Sequence, residues 1–302
     1  LVGSEMCIRD SDIIGLNCAT GPAEMSEHLR YLSQHSATSI SVMPNAGLPV
    51  LGPHGATYPL APEELAVALD RFVDDYGITL VGGCCGTTPE HLRQVVAKIS
   101  GRAPKSRNVS PDKGISSLYQ YVPFEQDSAF LAVGERTNAN GSKAFREALL
   151  AEDWQRCVEI ARDQIRDGAH VLDLSVDYVG RDGTADMREI ASRFATTSTL
   201  PIMLDSTEPY VLQVGLESLG GRSIINSVNY EDGDGPQSRF ARIVPLIKEH
   251  GSAVVALTID EEGQARTAEW KVRVAERLVK DLHDNWQINV ADIVIDTLTF
   301  PI

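Results

Sequence analysis

Short apolar runs alternate with longer helical stretches along this chain, strand first and helix second. Nearly every apolar run ends in a carboxylate, an amide or a thiol. This alternation constrains the fold more than any other feature, because β-then-α units in series build a parallel sheet or a barrel. The first series has strand candidates at 12–18 (DIIGLNC), 39–45 (SISVMPN) and 79–85 (TLVGGCC). Helical stretches follow at 21–36, 61–77 and 87–100. Thr88 is placed as an N-cap with Pro89 at the first helical position, and Gly77 closes the helix before it.

Residues 101–125 (GRAPKSRNVSPDKGISSLYQYVPFE) break the rhythm with Pro, Ser, Gly and Lys and no apolar period, the composition of a linker. A second series then supplies six strand candidates, at 130–136, 170–176, 201–206, 223–229, 253–259 and 292–298. Between them lie helical stretches such as 146–168 and 269–285. A doubly wound sheet would usually bring a Gly-rich nucleotide loop after its first strand, and GERTNANGSKAF has no GxGxxG. The expected fold class is therefore α/β, with two consecutive (β/α)8 TIM-type barrels, both incomplete in this chain. The expected division is an unmatched start at 1–11, the C-terminal part of one barrel at 12–100, a linker at 101–125 and a second, truncated barrel at 126–302. The chain starts at Leu1 and stops just after a β-like run, so both ends read as cuts.

Composition narrows the function classes. A net charge of -15 over 302 residues argues against general affinity for nucleic acid or anionic membranes. No apolar run approaches the roughly 18–20 residues that span a bilayer, and the start lacks the pattern of a secretory signal. A cytoplasmic location is the expectation, and there five cysteines read as thiols, metal ligands or catalysts rather than a disulfide framework.

In a (β/α)8 barrel, chemistry gathers at the C-terminal ends of the strands. The first series places Asn17, Cys18, Asn45, Cys84 and Cys85 there; the second places Glu135, Arg136, Asn138, Asp173, Asp205, Ser206, Asn226, Asp260 and Asp296. Free cysteine is commonly a small buried residue. Three thiols on one face, two of them adjacent in a Gly-flanked turn, point instead to a zinc-type site with one position open. Cys157 sits among apolar helical neighbours and reads as core. Asp205, Asn226 and Asp296 suit a polar heterocycle, since carboxylates accept from N–H groups and an amide both donates and accepts. Helix capping explains Ser206 but not Asn226 or Asp296. His91 reads as a helix residue, with a supporting role beside the cysteine pair as the alternative.

GLNCATGPAEM, MPNAGLP and VGGCCGTTPEHL resemble the homocysteine-binding barrel of the cobalamin-dependent methionine synthases. VGERTNANGSKAF, LDLSVDYVGRDG, MLDSTEP, IINSVN and DEEGQA resemble the pterin-binding barrel that follows it. The resemblance runs from about Asp12 to Ile302. It implies a methyltransferase that passes the methyl group of 5-methyltetrahydrofolate to homocysteine by way of cobalamin, giving methionine and tetrahydrofolate. It implies zinc on Cys18, Cys84 and Cys85, binding the homocysteine sulfur in the open position. It implies pterin contacts at Gly141, Ser142, Lys143, Asp205, Asn226 and Asp296, with Asn226 and Asp205 as the catalytic pair and Asn226 nearest N5.

Ser175 stands where related enzymes often carry Asn and is left out of the site. The Asp-x-His-x-x-Gly motif expected for the lower ligand of cobalamin is absent. Cobalamin binding is therefore expected from a separate domain of a longer chain, and this fragment is expected to be inactive alone. The competing readings are a pteroate synthase-like enzyme, a standalone zinc-dependent homocysteine methyltransferase, and a non-catalytic folate- or zinc-binding module.

Overall fold

The computed structural model describes residues 12–53, 55–110, 113–127 and 130–299; residues 1–11, the stretch expected to be an unmatched start, lie outside them. The described residues divide near residue 112 into two compact units. Among them, no helix is long and apolar enough to cross a membrane.

The first unit runs β1 (Ile13–Asn17), α1 (Pro22–His35), β2 (Ser39–Met43), β3 (Val50–Gly52), β4 (Gly55–Thr57), α2 (Pro62–Tyr76), β5 (Leu80–Val81) and α3 (Pro89–Ile99). β1, β2 and β5 form a parallel sheet in chain order. Gly15 sits opposite Ser41, where a Cβ would come within 1.8 Å of the serine hydroxyl, so the close β1–β2 approach needs glycine. Leu29, Ile40, Val42, Leu65 and Leu69 are fully buried between sheet and helices. β3 and β4 pair as an antiparallel hairpin that the apolar pattern does not announce, because all six of its residues are exposed.

Residues 102–110 fold back on this unit as a strap. Arg102 pairs with Asp70 and Asp74, and Lys105 N–H donates to Val73 O (3.2 Å). Arg107 donates to Ser36 O (2.8 Å) and Thr38 O (2.5 Å). Lacking an apolar period, the strap is ordered by side-chain and backbone hydrogen bonds.

The second unit opens with a hairpin of β6 (Gly114–Ser116) and β7 (Tyr121–Pro123). Then follow β8 (Val133–Gly134), α4 (Lys143–Leu150), α5 (Trp154–Arg166), β9 (Val171–Leu174), α6 (Gly183–Thr197), β10 (Ile202–Asp205), α7 (Pro209–Ser218), β11 (Ile224–Val228) and α8 (Arg239–His250). β12 (Ala253–Leu257), the short pair β13 (Ile259–Asp260) and β14 (Gly263–Gln264), α9 (Ala268–Lys280) and β15 (Ile293–Asp296) complete it. The helical stretch expected at 146–168 is broken. Glu152 takes φ 55°, and Asp153 caps a new helix by accepting from Arg156 N–H (3.0 Å).

β8, β9, β10, β11, β12 and β15 pair in parallel and in chain order. A doubly wound sheet reverses its order part-way; this one curls as the strands of an incomplete α/β barrel. One core lies between the strands and their helices, with Phe145, Leu172, Leu204, Ile225, Phe240 and Val254 buried in it. A second lies inside the curl, where Ile115 and Val122 of the hairpin pack with Val171, Met203, Ile224 and Val255.

The hairpin is fastened by Arg222. Its backbone exchanges hydrogen bonds with Ser116 (2.8 and 3.0 Å), and its guanidinium donates to Gly114 O (2.8 Å) and Gly251 O (2.9 Å) and pairs with the buried Asp292 (2.8 Å). Replacing one member of a largely buried pair leaves the other uncompensated. Arg222→Ala is expected to lower stability by about 3 kcal/mol and to expose residues 114–123 to proteolysis, as read by urea unfolding and limited trypsin digestion.

Candidate functional site

The three thiols of the first unit are brought together by the ends of its strands. Past β1, Cys18 and Ala19 turn with φ of 61° and 62°, and Cys18 N–H is tied to Met43 O at the end of β2 (2.9 Å). Past β5, Cys84 N–H donates to Pro44 O (2.8 Å), and Cys85 N–H donates to the buried Asn45 Oδ1 (3.2 Å). Asn45 thus serves as the anchor of the cysteine turn. The flanking glycines are steric necessities. A Cβ on Gly83 would meet Thr87 at 2.3 Å, and one on Gly86, at φ 78°, would meet Tyr58 at 2.3 Å.

The sulfurs of Cys18 and Cys85 stand 3.5 Å apart, those of Cys84 and Cys85 3.9 Å, and all three lie within 4.8 Å of one another. A disulfide needs about 2.05 Å. Tetrahedral zinc with Zn–S bonds of about 2.3 Å spaces its thiolates about 3.8 Å apart. The donor set and its spacing therefore fit a soft, four-coordinate metal with one position left over. Among the described residues no histidine or carboxylate joins the three sulfurs. The Ala19 backbone N–H, and then the Cys84 and Cys85 thiols, hold the Cys18 thiol below its ordinary range, whereas contact with Cys18 and burial push Cys84 up.

His91 is buried and works within its own helix. Its Nδ1 accepts from Thr88 N–H (3.2 Å), so Nε2 carries the proton and donates to Leu60 O (2.9 Å). Leu60 N–H in turn donates to Ala46 O (3.0 Å), and Ala46 N–H to Cys85 O (2.9 Å). His91 therefore steadies the cysteine turn at two removes.

In the second unit the strand ends surround a cavity of about 560 Å³. Met203, Val255, Val294 and Ile295 give it apolar walls, and Glu135, Asn138, Gly141, Asp173, Asp205, Asn226 and Asp296 supply its polar groups. Asp205 and Asn226 are direct neighbours in the β10–β11 register, so both side chains leave the sheet on the same side. Asp296 stands at the exposed end of β15.

Two of the site residues expected from the sequence serve elsewhere. Ser142 caps α4 by accepting from Phe145 N–H (3.3 Å), and Lys143 is exposed, 3.7 Å from Glu147; neither lines the cavity, whereas Gly141 does. Ser175 is buried, its carbonyl accepting from Ala139 N–H (2.9 Å).

Asp173 and Asn138 lie at the centre of the polar set. Asn138 donates to Asp173 Oδ2 (2.8 Å) and to Asp205 Oδ2 (2.7 Å). Asp173 is only 4% exposed, and its Oδ1 is buried without a partner among the described residues. Burial pushes its carboxyl up to about 7, with the charges of Asp205 and Glu135 adding to the rise and the Asn138 and Asn226 amides opposing it. Asp205 is raised for the same first reason, and Asn138 again opposes. Both residues stand at strand ends in the sequence, but hydrogen bonds from one loop to two strands leave no local pattern.

Two outcomes test these sites. Cys84→Ala is expected to abolish uptake of added zinc or cobalt, measured by metal analysis and by thiolate-to-cobalt absorption bands, with the cavity of the second unit unaffected. For Asp173 the folded state holds its proton up to about pH 7, against about 3.9 for a free carboxyl. The stability this proton confers is complete below pH 4 and is lost as pH rises through 7. Asp173→Asn is thus expected to melt higher relative to wild type at pH 8 than at pH 4, by thermal denaturation at both.

Residues 134–301 match the model of the pterin binding enzyme family, and residues 4–99 match that of homocysteine S-methyltransferase. Methionine synthase of Mycobacterium tuberculosis is 66% identical over 291 residues, covering 96% of this chain and 24% of the relative. The Mycobacterium leprae methionine synthase is 64% identical over 296 residues, with the same coverage. The chain spans about a quarter of the length of these curated relatives. A solved structure of Xanthomonas albilineans dihydropteroate synthase covers 58% of this chain and 61% of its own at 15% identity, with a TM-score of 0.42.

Proposed function

The chain belongs to the pterin-binding enzyme family, and on that premise we propose that it takes part in methyl transfer from 5-methyltetrahydrofolate to homocysteine, giving methionine and tetrahydrofolate. The observation that carries this reading is the presence, on one chain, of a three-thiol cluster with metal spacing and of a cavity ringed by carboxylates and an amide at strand ends. A pteroate synthase-like enzyme would leave the thiols without a task. A zinc-dependent methyltransferase of the standalone kind would leave the cavity without one. The strong match to a stretch of methionine synthase supports the combined reading.

In the second unit the pteridine is proposed to enter the 560 Å³ cavity with its faces against Met203, Val255 and Val294. Its ring N–H and amino groups would donate to Asp205, Asp296 and Asp173, acceptors that the apolar walls make strong by excluding water. Gly141 leaves room for close approach in the β8–α4 loop. Asn226 is assigned the place nearest N5. As the methyl group departs, negative charge grows on N5, and the Asn226 amide N–H can donate to it while a proton is delivered. Asp205, its neighbour in the register, orients the ring for that contact.

In the first unit Cys18, Cys84 and Cys85 would hold zinc. When bound, zinc supplies a Lewis acid that favours the thiolate of homocysteine at neutral pH. Asn45 and the two flanking glycines keep the three sulfurs converged for that purpose. Cobalamin, the methyl carrier of the proposed reaction, is assigned to another domain of a longer protein, and no residue of this chain is given a part in holding it. The thiol chemistry suits a cytoplasmic location, which is part of the proposal.

The test is binding of 5-methyltetrahydrofolate to the 302-residue chain by titration calorimetry, with methyl transfer to reduced cobalamin measured in the longer protein that contains this stretch. Binding by wild type and a roughly 10²–10⁴-fold slower transfer by Asn226→Ala, with binding weakened far less, are expected. A wild-type chain that binds no folate would sink the reading.

A further inference from the structure

Every hydrogen-bonding group of the Asn138 side chain is occupied within the protein. Its two N–H bonds go to Asp173 Oδ2 (2.8 Å) and Asp205 Oδ2 (2.7 Å), and its Oδ1 accepts from Asn140 N–H (2.9 Å) and Gly141 N–H (3.1 Å). A side-chain amide has two donors and an oxygen with two lone pairs. Asn138 therefore has nothing left to offer a ligand, although it lines the cavity.

The carboxylates it joins lie on the neighbouring strands β9 and β10. Their surroundings are acidic: Glu135 and Asp177 act on the pair, Asp296 lines the same cavity, and among the described residues its lining includes no lysine or arginine. Two carboxylates so placed repel each other, and one is driven to keep a proton. A neutral amide that gives one N–H to each offsets part of that repulsion without a cation. It also fixes which oxygen is engaged, leaving Asp173 Oδ1 buried and, among the described residues, unpartnered.

We propose that Asn138 is a positioning residue for the pteridine, pinning Oδ2 of Asp173 and Asp205 so that the two carboxylates are held in fixed orientations beside the ring and titrate as one unit. The proposal rests on the reading of the cavity as a folate site. Asn138 acts through the carboxylates and through the loop that carries Gly141, and it makes no bond to the ring itself.

The variants Asn138→Asp and Asn138→Ala separate this role from simple loop capping. N138D keeps an oxygen to cap the Asn140 and Gly141 N–H groups but removes both donors to the carboxylates. The measurement is a ¹³C-carboxyl NMR titration of the ligand-free 302-residue chain, with 5-methyltetrahydrofolate affinity recorded from pH 5 to 9. The midpoints of the Asp173–Asp205 pair are expected to rise by about one pH unit or more in both variants. The pH profile of folate affinity should move up with them, and affinity at pH 7 should fall about tenfold. Unchanged midpoints in a folded N138D would overturn the proposal and leave Asn138 as a loop cap. Should N138D fail to fold, N138A gives the same reading; failure of both to fold would overturn it too, since Asn138 would then serve the fold. The wild-type folate titration is a separate arm: its failure defeats the folate reading, whereas failure of the midpoints to move defeats this inference.

Discussion

Parallel pairing of strands in chain order is the constraint on which the rest of this molecule depends. Because each strand must return to the same end of the sheet before pairing with the last, a helix crosses back every time. The C-terminal ends of all strands in a unit then meet at one edge. That is how Cys18 comes to stand 3.5 Å from Cys85, 67 residues away, and how Asp205 becomes the register neighbour of Asn226. Neither pair is joined by local sequence. Both follow from where the strands stop.

The two sites differ in how they meet the electrostatic problem of gathering like groups. The thiols stand near solvent and are set by backbone bonds, with Asn45 and the Ala19 N–H fixing the turns that carry them. A metal would neutralise thiolates held at this spacing. In the second unit Asp173 is buried and Asp205 half-buried within an acidic ring, and removing a charge from water costs more than a single hydrogen bond returns. The outcome is a carboxyl that keeps its proton to about pH 7 and an amide shared between two acids. Protonation in this cavity is thus sensitive to small changes near neutrality, a condition suited to proton delivery at a ring nitrogen.

Arg222 does for the lower end of the second unit what Asn138 does for the upper. It joins elements distant in sequence by filling acceptors that burial would otherwise leave unsatisfied. The hairpin it fastens inserts Ile115 and Val122 beneath the strands, closing an apolar interior that two- to five-residue strands could not close alone.

Much of this was legible in the sequence. The parallel strands and most helices of both units follow from apolar periodicity, and Pro89 marks a helix start that the structure places at that residue. Cys18, Cys84, Cys85, Asp205, Asn226 and Asp296 stand at the C-terminal ends of apolar runs, the edge where a barrel gathers its chemistry, whereas Gly141 was implied only by the family resemblance. What periodicity could not reach were contacts without a period. The exposed hairpin β3–β4, the strap at 102–110 and the capping role of Ser142 depend on individual hydrogen bonds. Only the tertiary structure decided that Asn138 bridges two acids and that burial raises Asp173. The physical reason is that desolvation and hydrogen-bond saturation depend on what surrounds a group in three dimensions, whereas sequence records only what precedes and follows it.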